Sequence, residues 1–133
     1  MAVSRNTFSK DERLRSRKLI EKIVDDGKSI RLNPFRLSWV ETELKSTFPV
    51  QIAITVPKRF FKRAVDRNRI KRLIREVYRK NKTGIYSLLQ SLKIQCALLL
   101  VFNGTAIPDY AEVEKKLLLT LQRFEETLLK NRG

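Results

Sequence analysis

The chain has 133 residues, of which 42% are hydrophobic, and it carries 29 Lys or Arg residues against 14 Asp or Glu residues and no His. This length fits a single domain over residues 1–133, and the net charge of +15 indicates a polyanionic partner, with nucleic acid ahead of an anionic membrane surface. The composition disfavours a disulfide-rich or membrane-spanning protein and, because His is absent, a protein that performs catalysis by itself.

The amino-terminal part is polar and is followed by a short predicted helix. Residues 1–15 read as an arm that can be partly mobile, and they lack the apolar stretch of a secretory signal. In "SRKLIEKIVDDG", Ser16 can cap the helix and Gly27 can end it. The apolar stripe of this helix comprises Leu19, Ile20, Ile23 and Val24.

Two strands are predicted next, and the pattern leaves open an extra short strand near residues 29–32. In "PFRLSWVETE" and "VQIAITVP" apolar side chains alternate with others, so each strand has an apolar and a mixed face. The apolar faces hold Phe35, Leu37 and Trp39, then Val50, Ile52, Ile54 and Val56; the mixed faces hold Arg36, Ser38 and Val40, then Gln51, Ala53 and Thr55. The segment "LKSTFP" is a plausible turn, so we expect an antiparallel hairpin between the two strands.

The stretch "AVDRNRIKRLIREVYRKNK", residues 64–82, predicts an amphipathic helix that ends near Gly84. At 100° per residue its large apolar side chains fall on one side. That side holds Ile70, Leu73, Ile74, Val77 and Tyr78, and the opposite side holds Asn68, Arg72, Arg75 and Arg79, flanked by Arg69 and Lys71. Arg67 falls nearer the apolar edge.

The charge of this region decides between two interpretations of the helix. Residues 58–82 contain twelve basic and two acidic side chains, a net charge of 12 − 2 = +10. An ordinary solvated helix face mixes both signs, whereas crowded like charge costs stability unless a partner neutralises it. We therefore favour a helix that binds a polyanion. The many Arg residues match phosphate geometry and can stack on unpaired bases.

The carboxyl-terminal third predicts a buried strand and a long helix. "IQCALLLVF", residues 94–102, reads as a strand buried on both faces, and Cys96 within it reads as an inert buried thiol. Asp109 and Glu112 can form a capping box for a last helix. The stripe of that helix is Val113, Leu117, Leu121, Phe124 and Leu128. The resulting order, α-β-β-α-β-α, indicates an α+β sandwich with its helices in one layer.

The segment "RAVDRNRIKRLIRE", residues 63–76, resembles the RNR motif of the bacterial ribonuclease P protein subunit. "VPKR" after the second strand, the early "KLIEKIVDDGKS" helix, and the late apolar strand with its acid-capped helix extend the resemblance over most of the chain. The resemblance implies a single-domain α-β-β-β-α-β-α sandwich of the ribosomal protein S5 domain 2-like class, with a left-handed crossover. It thereby implies the third short strand.

The resemblance also implies a function. Proteins of this family join a large catalytic RNA, which uses Mg²⁺ to remove the 5′ leader from precursor tRNA. The protein would be auxiliary, holding neither catalytic residue nor metal site, and would bind the RNA subunit and the leader. We accordingly expect a cytoplasmic ribonucleoprotein with one protein per RNA and no membrane partner.

Carried over by position, the resemblance implies two binding surfaces. The RNA subunit would be contacted by Arg67, Asn68, Arg69, Lys71, Arg72, Arg75 and Arg79. The single-stranded leader would lie in a cleft between the first helix and the mixed sheet face, lined by Ile20, Val24, Arg36, Ser38, Ala53 and Thr55, with Lys58 and Arg59 close by.

The chain departs from the family pattern in this cleft. Many relatives carry aromatic side chains, which stack on bases, at the positions of Ile20, Val24 and Ser38. Core packing therefore remains an alternative role for Ile20 and Val24. Loop packing and base stacking remain alternatives for Phe60 and Phe61.

Two other functions compete with the ribonuclease P hypothesis. A structural ribosomal protein could use the same basic helix to stabilise folded ribosomal RNA. A protein-only nuclease is disfavoured by the missing His and the scattered acidic residues.

Overall fold

The computed structural model describes residues 8–132, which form four α-helices and one four-stranded sheet. In chain order the elements are α1 (Arg17–Asp26), β1 (Lys28–Leu32), β2 (Phe35–Glu41), β3 (Val50–Thr55), α2 (Ala64–Asn81), α3 (Thr83–Leu92), β4 (Cys96–Phe102) and α4 (Tyr110–Lys130). The class is the predicted mixed α+β sandwich. The short strand near residues 29–32 is present as β1.

The sheet order is β1-β2-β4-β3, so the last strand in the sequence lies in the middle of the sheet. β4 runs antiparallel to β2 and parallel to β3. The expected hairpin between the second and third strands is therefore wrong. The physical reason is that β4, which is apolar along its whole length, is buried on both faces at the centre of the sheet between β2 and β3, while β2 forms its hairpin with β1.

The main core lies between one face of the sheet and the helices α2, α3 and α4. The predicted apolar faces of β2 and β3 point into it, as do the predicted stripes of the two long helices. Trp39 packs edge-on against Phe124 with 4.9 Å between ring centroids, as an aromatic pair prefers. The expectation that Trp39 belongs to the core is confirmed.

The first helix packs on the other face of the sheet, so the helices do not form one layer as the order of elements had indicated. The Ser16 side chain accepts a hydrogen bond from the Leu19 amide, and the helix ends at Gly27, as predicted. Ile23 is buried in a small second cluster. Its other buried members are Leu14, Val40, Leu44 and Ala97.

Helix α3 is an element that the sequence analysis did not predict. Lys82 separates it from α2 but keeps a right-handed helical backbone, and the Tyr86 amide donates to the Lys82 carbonyl. Gly84 therefore lies inside a helix and does not end one. Ile85 and Leu89 extend the buried stripe of α2, seven and eleven residues beyond Tyr78, and this periodicity is the signal that could have revealed α3.

No helix within residues 8–132 combines the length and the apolar composition that crossing a membrane requires.

Candidate nucleic-acid interface

Helix α2 presents its basic side chains because its apolar stripe is fixed in the core. Ile70, Ile74, Val77 and Tyr78 are fully buried, and Leu73 packs against them. The predicted two-sided helix is thereby confirmed. Of the predicted RNA contacts, Asn68, Arg69 and Arg72 are exposed, while Arg67, Lys71, Arg75 and Arg79 are half-buried.

Arg67 and Arg79 make contacts within the protein. The Nη1 atom of Arg67 donates to the carbonyl oxygens of Phe61 and Lys62, at 2.8 and 2.9 Å, and so fastens the preceding loop to α2. Arg79 donates to both carboxylate oxygens of Glu76, at 3.0 and 2.8 Å. These bonds raise the pKa of Arg79 and lower that of Glu76. Both guanidinium groups thus stabilise local structure within the protein.

The remaining basic residues of α2 fall on two sides of the helix. Arg69 and Arg72 line a depression with the loop before α4, beside Asp109 and Tyr110. Arg75 lines a different depression, on the β3 side of α2. Burial lowers the pKa of Arg75, and the nearby Arg13 charge adds to this effect.

The sequence analysis missed Arg13 and Arg15, which line the depression together with Arg75. Residues 8–14 are packed onto the domain, whereas the expected mobile arm extended over residues 1–15; residues 1–7 lie outside the described residues. Arg13 bridges to Ile52, and the Leu14 amide donates to the Ile52 carbonyl at 3.0 Å. The alternation of basic and apolar residues in "RLR", residues 13–15, is the sequence signal that could have indicated this packing.

A buried polar network holds this amino-terminal segment in place. The Glu12 carboxylate is 0% exposed, forms an ion pair with Lys82 and accepts hydrogen bonds from the Ser9 amide and the Tyr86 hydroxyl. Burial alone would raise the pKa of Glu12, but the bonds from Lys82, Ser9 and Tyr86 outweigh it and lower the pKa. Burial also raises the pKa of the Tyr86 phenol, so that it remains a donor.

The mixed face of the sheet carries two rows of side chains beyond α1, the first largely covered and the second open. In one row Ser38 and Ala53 flank Leu99, and in the next Arg36 and Thr55 flank Val101. The structure therefore brings together the four sheet residues that the resemblance implied. Arg36 and Thr55 are exposed, Ala53 is half-buried and Ser38 is only 7% exposed.

Arg31 extends the second row and was also missed by the sequence analysis. It lies directly opposite Arg36 in the antiparallel β1–β2 pair, so both side chains share one face, and both are exposed. Like charges directly opposite each other destabilise a sheet. Their placement is typical of a surface that receives an anion.

The structure separates the two predicted cleft residues of α1. Ile20 is half-buried and packs against the second cluster, which agrees with the core-packing alternative. Val24 is 68% exposed and so does not belong to the core.

The loop between β3 and α2 carries Lys58 and Arg59, both exposed, and two adjacent phenylalanines with different environments. Phe61 is 7% exposed and packs against Phe102 at 6.2 Å between centroids. Phe60 is 46% exposed, with the Arg59 guanidinium 4.9 Å from its ring centroid. Loop packing is therefore the role of Phe61 alone.

The described residues contain no group of three or more potential metal-ligating His, Cys, Asp or Glu side chains. Cys96 is buried, and burial raises the pKa of its thiol to about 12. At neutral pH this thiol is protonated, as expected for a core residue and unlike a nucleophile. The described surface does carry many exposed basic side chains, which attract anions.

Comparison with known proteins identifies consistent similarities. The family model described as Ribonuclease P matches residues 8–125. The ribonuclease P protein component of Porphyromonas gingivalis is 34% identical over 117 residues, covering 87% of this chain and 85% of that protein. The corresponding protein of Chlorobium phaeobacteroides is 32% identical over 115 residues, covering 79% of each chain.

Solved structures agree in fold. The RNase P protein from Thermotoga maritima superposes with a TM-score of 0.65 at 26% identity, covering 84% of this chain and 96% of that one. The Staphylococcus aureus RNase P protein superposes with a TM-score of 0.62 at 19% identity, covering 84% and 93%.

Proposed function

The chain belongs to the ribonuclease P protein family, and we propose that it works as an auxiliary subunit beside a catalytic RNA that removes the 5′ leader of precursor tRNA. The observation that supports this role most directly is the basic helix α2, whose exposed side carries Asn68, Arg69 and Arg72 while its other side is fixed in the core. A rigid element of this kind can position a folded RNA through its phosphates.

The two surfaces are proposed to divide the work. The exposed residues of α2 would contact the RNA subunit, with Arg75 contributing on the β3 side beside Arg13 and Arg15. The two rows of the mixed sheet face would contact the single-stranded leader, with Arg36 and its neighbour Arg31 meeting leader phosphates. Ser38 and Ala53 offer little stacking surface, so this contact would depend mainly on charge.

The protein would contribute to cleavage by binding and orienting its partners. Mg²⁺ would be held mainly by the RNA subunit, since no three carboxylates or other ligand side chains converge within residues 8–132. Increased local positive charge would favour association of the precursor tRNA with the RNA subunit. We further propose one protein per RNA and a cytoplasmic location.

One assay tests the function as a whole. Purified protein is added to precursor tRNA with and without the ribonuclease P RNA at low Mg²⁺ concentration. We expect cleavage only when the RNA is present, and faster cleavage when the protein is added. Cleavage by the protein alone would contradict the auxiliary role, and no stimulation would favour the ribosomal-protein alternative.

A further inference from the structure

We propose that Phe60, with the guanidinium of Arg59 against its ring, is a stacking site for one unpaired base of the precursor tRNA leader. The inference rests on the proposed function and adds a specific contact to it. Phe60 is 46% exposed although it is a large apolar side chain, and it lies in a loop rich in positive charge. The basic loop residues are Lys58, Arg59, Lys62 and Arg63.

The loop is held firmly enough to present this side chain. On one side of Phe60, the adjacent Phe61 is buried and packs against Phe102 in the core. On the same side, Arg67 in the first turn of α2 donates two hydrogen bonds to the Phe61 and Lys62 carbonyls. A ring on a loop with such anchors loses little further freedom when it binds, so its contact area is available for affinity.

The position of the loop favours the leader over the RNA subunit as the partner. β3 ends at Thr55, in the sheet row that also contains Arg36 and Arg31, and the loop continues from that end of the strand. A single strand lying along the exposed row of Arg36 and Thr55 would continue towards the loop. The two rows of the mixed face contain no aromatic side chain, so Phe60 would provide the stacking that the cleft lacks.

The chemistry of the pair fits a nucleobase. Every base offers a flat π-face, so an aromatic ring binds it without sequence preference, and a guanidinium over the ring adds a cation–π interaction. The surrounding positive charges fit the phosphates on either side of the stacked base. A neutral apolar partner would gain nothing from those charges.

The test combines protein and leader changes in a reconstituted holoenzyme. Affinity is measured for precursor tRNAs that carry a 2′-deoxynucleotide at the cut site to slow cleavage and a single abasic nucleotide at each leader position in turn. We expect Phe60→Ala to weaken binding of the complete leader about tenfold and Phe60→Trp to retain it. At the leader position whose base stacks on Phe60, removal of the base should weaken binding to the wild-type protein by a similar factor. The same removal should change the affinity of Phe60→Ala by less than about twofold.

Val65→Ala is the matched control, because Val65 is 59% exposed, apolar and nearby but has no ring. Its affinity should stay within about twofold of the wild type. Leucine is apolar but has no ring, so full affinity of the Phe60→Leu variant would overturn the stacking site. The absence of coupling between Phe60→Ala and base removal at every leader position would also overturn it. A loss confined to binding of the RNA subunit would overturn the leader as partner.

The same measurements distinguish failure of the proposed function from failure of the stacking site alone. If the wild-type protein neither binds the ribonuclease P RNA nor increases its affinity for precursor tRNA, both the function and the stacking site are wrong. If the wild type does both and the Phe60 variants match it, only the stacking site is wrong.

Discussion

The carboxylate of Glu12 and the ammonium of Lys82 lie 70 residues apart in sequence, yet they are in contact and almost completely buried. A buried ion pair is stabilising only if both charges are present and well hydrogen-bonded, since burying either charge alone is costly. The network around Glu12 meets this condition through Ser9 and Tyr86. One acidic residue in a basic chain thus fixes the segment that carries Arg13 and Arg15.

Glu12→Gln should destabilise the protein by about 3–5 kcal/mol, because it removes a buried carboxylate charge that is paired with the ammonium of Lys82. Urea denaturation measures this change in the free energy of unfolding. Glu41→Gln is the matched control, because its ion pair with Arg132 is 32% to 48% exposed and should contribute less than about 1 kcal/mol. Equal effects of the two substitutions would contradict the role of the buried pair.

The same pair should give stability a pH dependence with a defined sign. The pKa of Glu12 in the folded protein is below its usual value of 4.5, so its contribution is complete above pH 4.5 and is lost as the pH falls through the folded-state pKa. Urea midpoints measured between neutral pH and pH 3 should fall more steeply for the wild type than for Glu12→Gln. Parallel curves would show that Glu12 does not titrate as the structure indicates.

The two proposed surfaces can be separated with single arginine substitutions. Arg72→Ala should weaken binding of the RNA subunit and reduce its salt dependence by about one phosphate contact, whereas Arg36→Ala should weaken only leader-dependent affinity for the substrate. Filter binding at several salt concentrations, with precursor tRNAs that have or lack a leader, measures both effects. Arg123→Ala, an exposed change on α4, is the control. Equal loss of leader affinity in both variants would contradict the division.

At the scale of elements, hydrophobic periodicity predicted which side of each element is buried but not which elements are neighbours. The stripes of α2 and α4, the capping of α1 and α4 and the apolar faces of β2 and β3 agree with the structure. The expected β2–β3 hairpin is wrong because the alternation of apolar side chains predicts which face of a strand is buried but not which strand pairs with each of its edges.

Candidate-site residues divide in the same way. The spacing of the apolar residues in α2 shows which side of the helix is exposed, so the exposure of Arg72 and its neighbours Asn68 and Arg69 was predictable. Arg31 could be joined to Arg36 only through the strand register, and Arg13 to Arg75 only through the packing of the amino-terminal segment on β3. The first relation depends on the register of the β1–β2 hairpin and the second on packing between distant parts of the chain, and a local pattern contains neither.

Two glycines, one just after the end of α1 and one within α3, should change the stability of the protein in opposite directions when replaced by Ala. A Cβ at Gly27 would clash with the Ile23 carbonyl and lie 3.0 Å from the Trp39 carbonyl, so Gly27→Ala should destabilise the α1–sheet contact. At Gly84, within α3, the nearest atom is 3.7 Å away and belongs to a flexible Glu125 side chain. Gly84→Ala should therefore stabilise the protein by up to about 1 kcal/mol, because Ala favours a helix.

Thermal denaturation of the two glycine variants tests this contrast. Destabilisation by Gly84→Ala would show that residue 84 is not helical in solution. An unchanged Gly27→Ala variant would show that the end of α1 can move away from β2.

At the scale of the whole molecule, the net charge of +15 should make stability depend on ionic strength even without RNA. Raising salt from about 0.01 M to about 0.1 M shortens the Debye length from about 30 Å to about 10 Å, so repulsion among the basic side chains weakens. The urea midpoint should therefore rise with KCl concentration. A falling midpoint would show that attractive surface pairs outweigh the repulsion.

The central position of β4 has a consequence for the order in which the chain is synthesised. When β3 leaves the ribosome, the strand that will lie beside it in the sheet has not yet been made, and β2 has at that point only its hairpin partner β1. The apolar face of β3 must wait until α2, α3 and β4 have followed. The domain therefore completes its fold only after β4 has been made, and until then the nascent chain is exposed to aggregation and to chaperones.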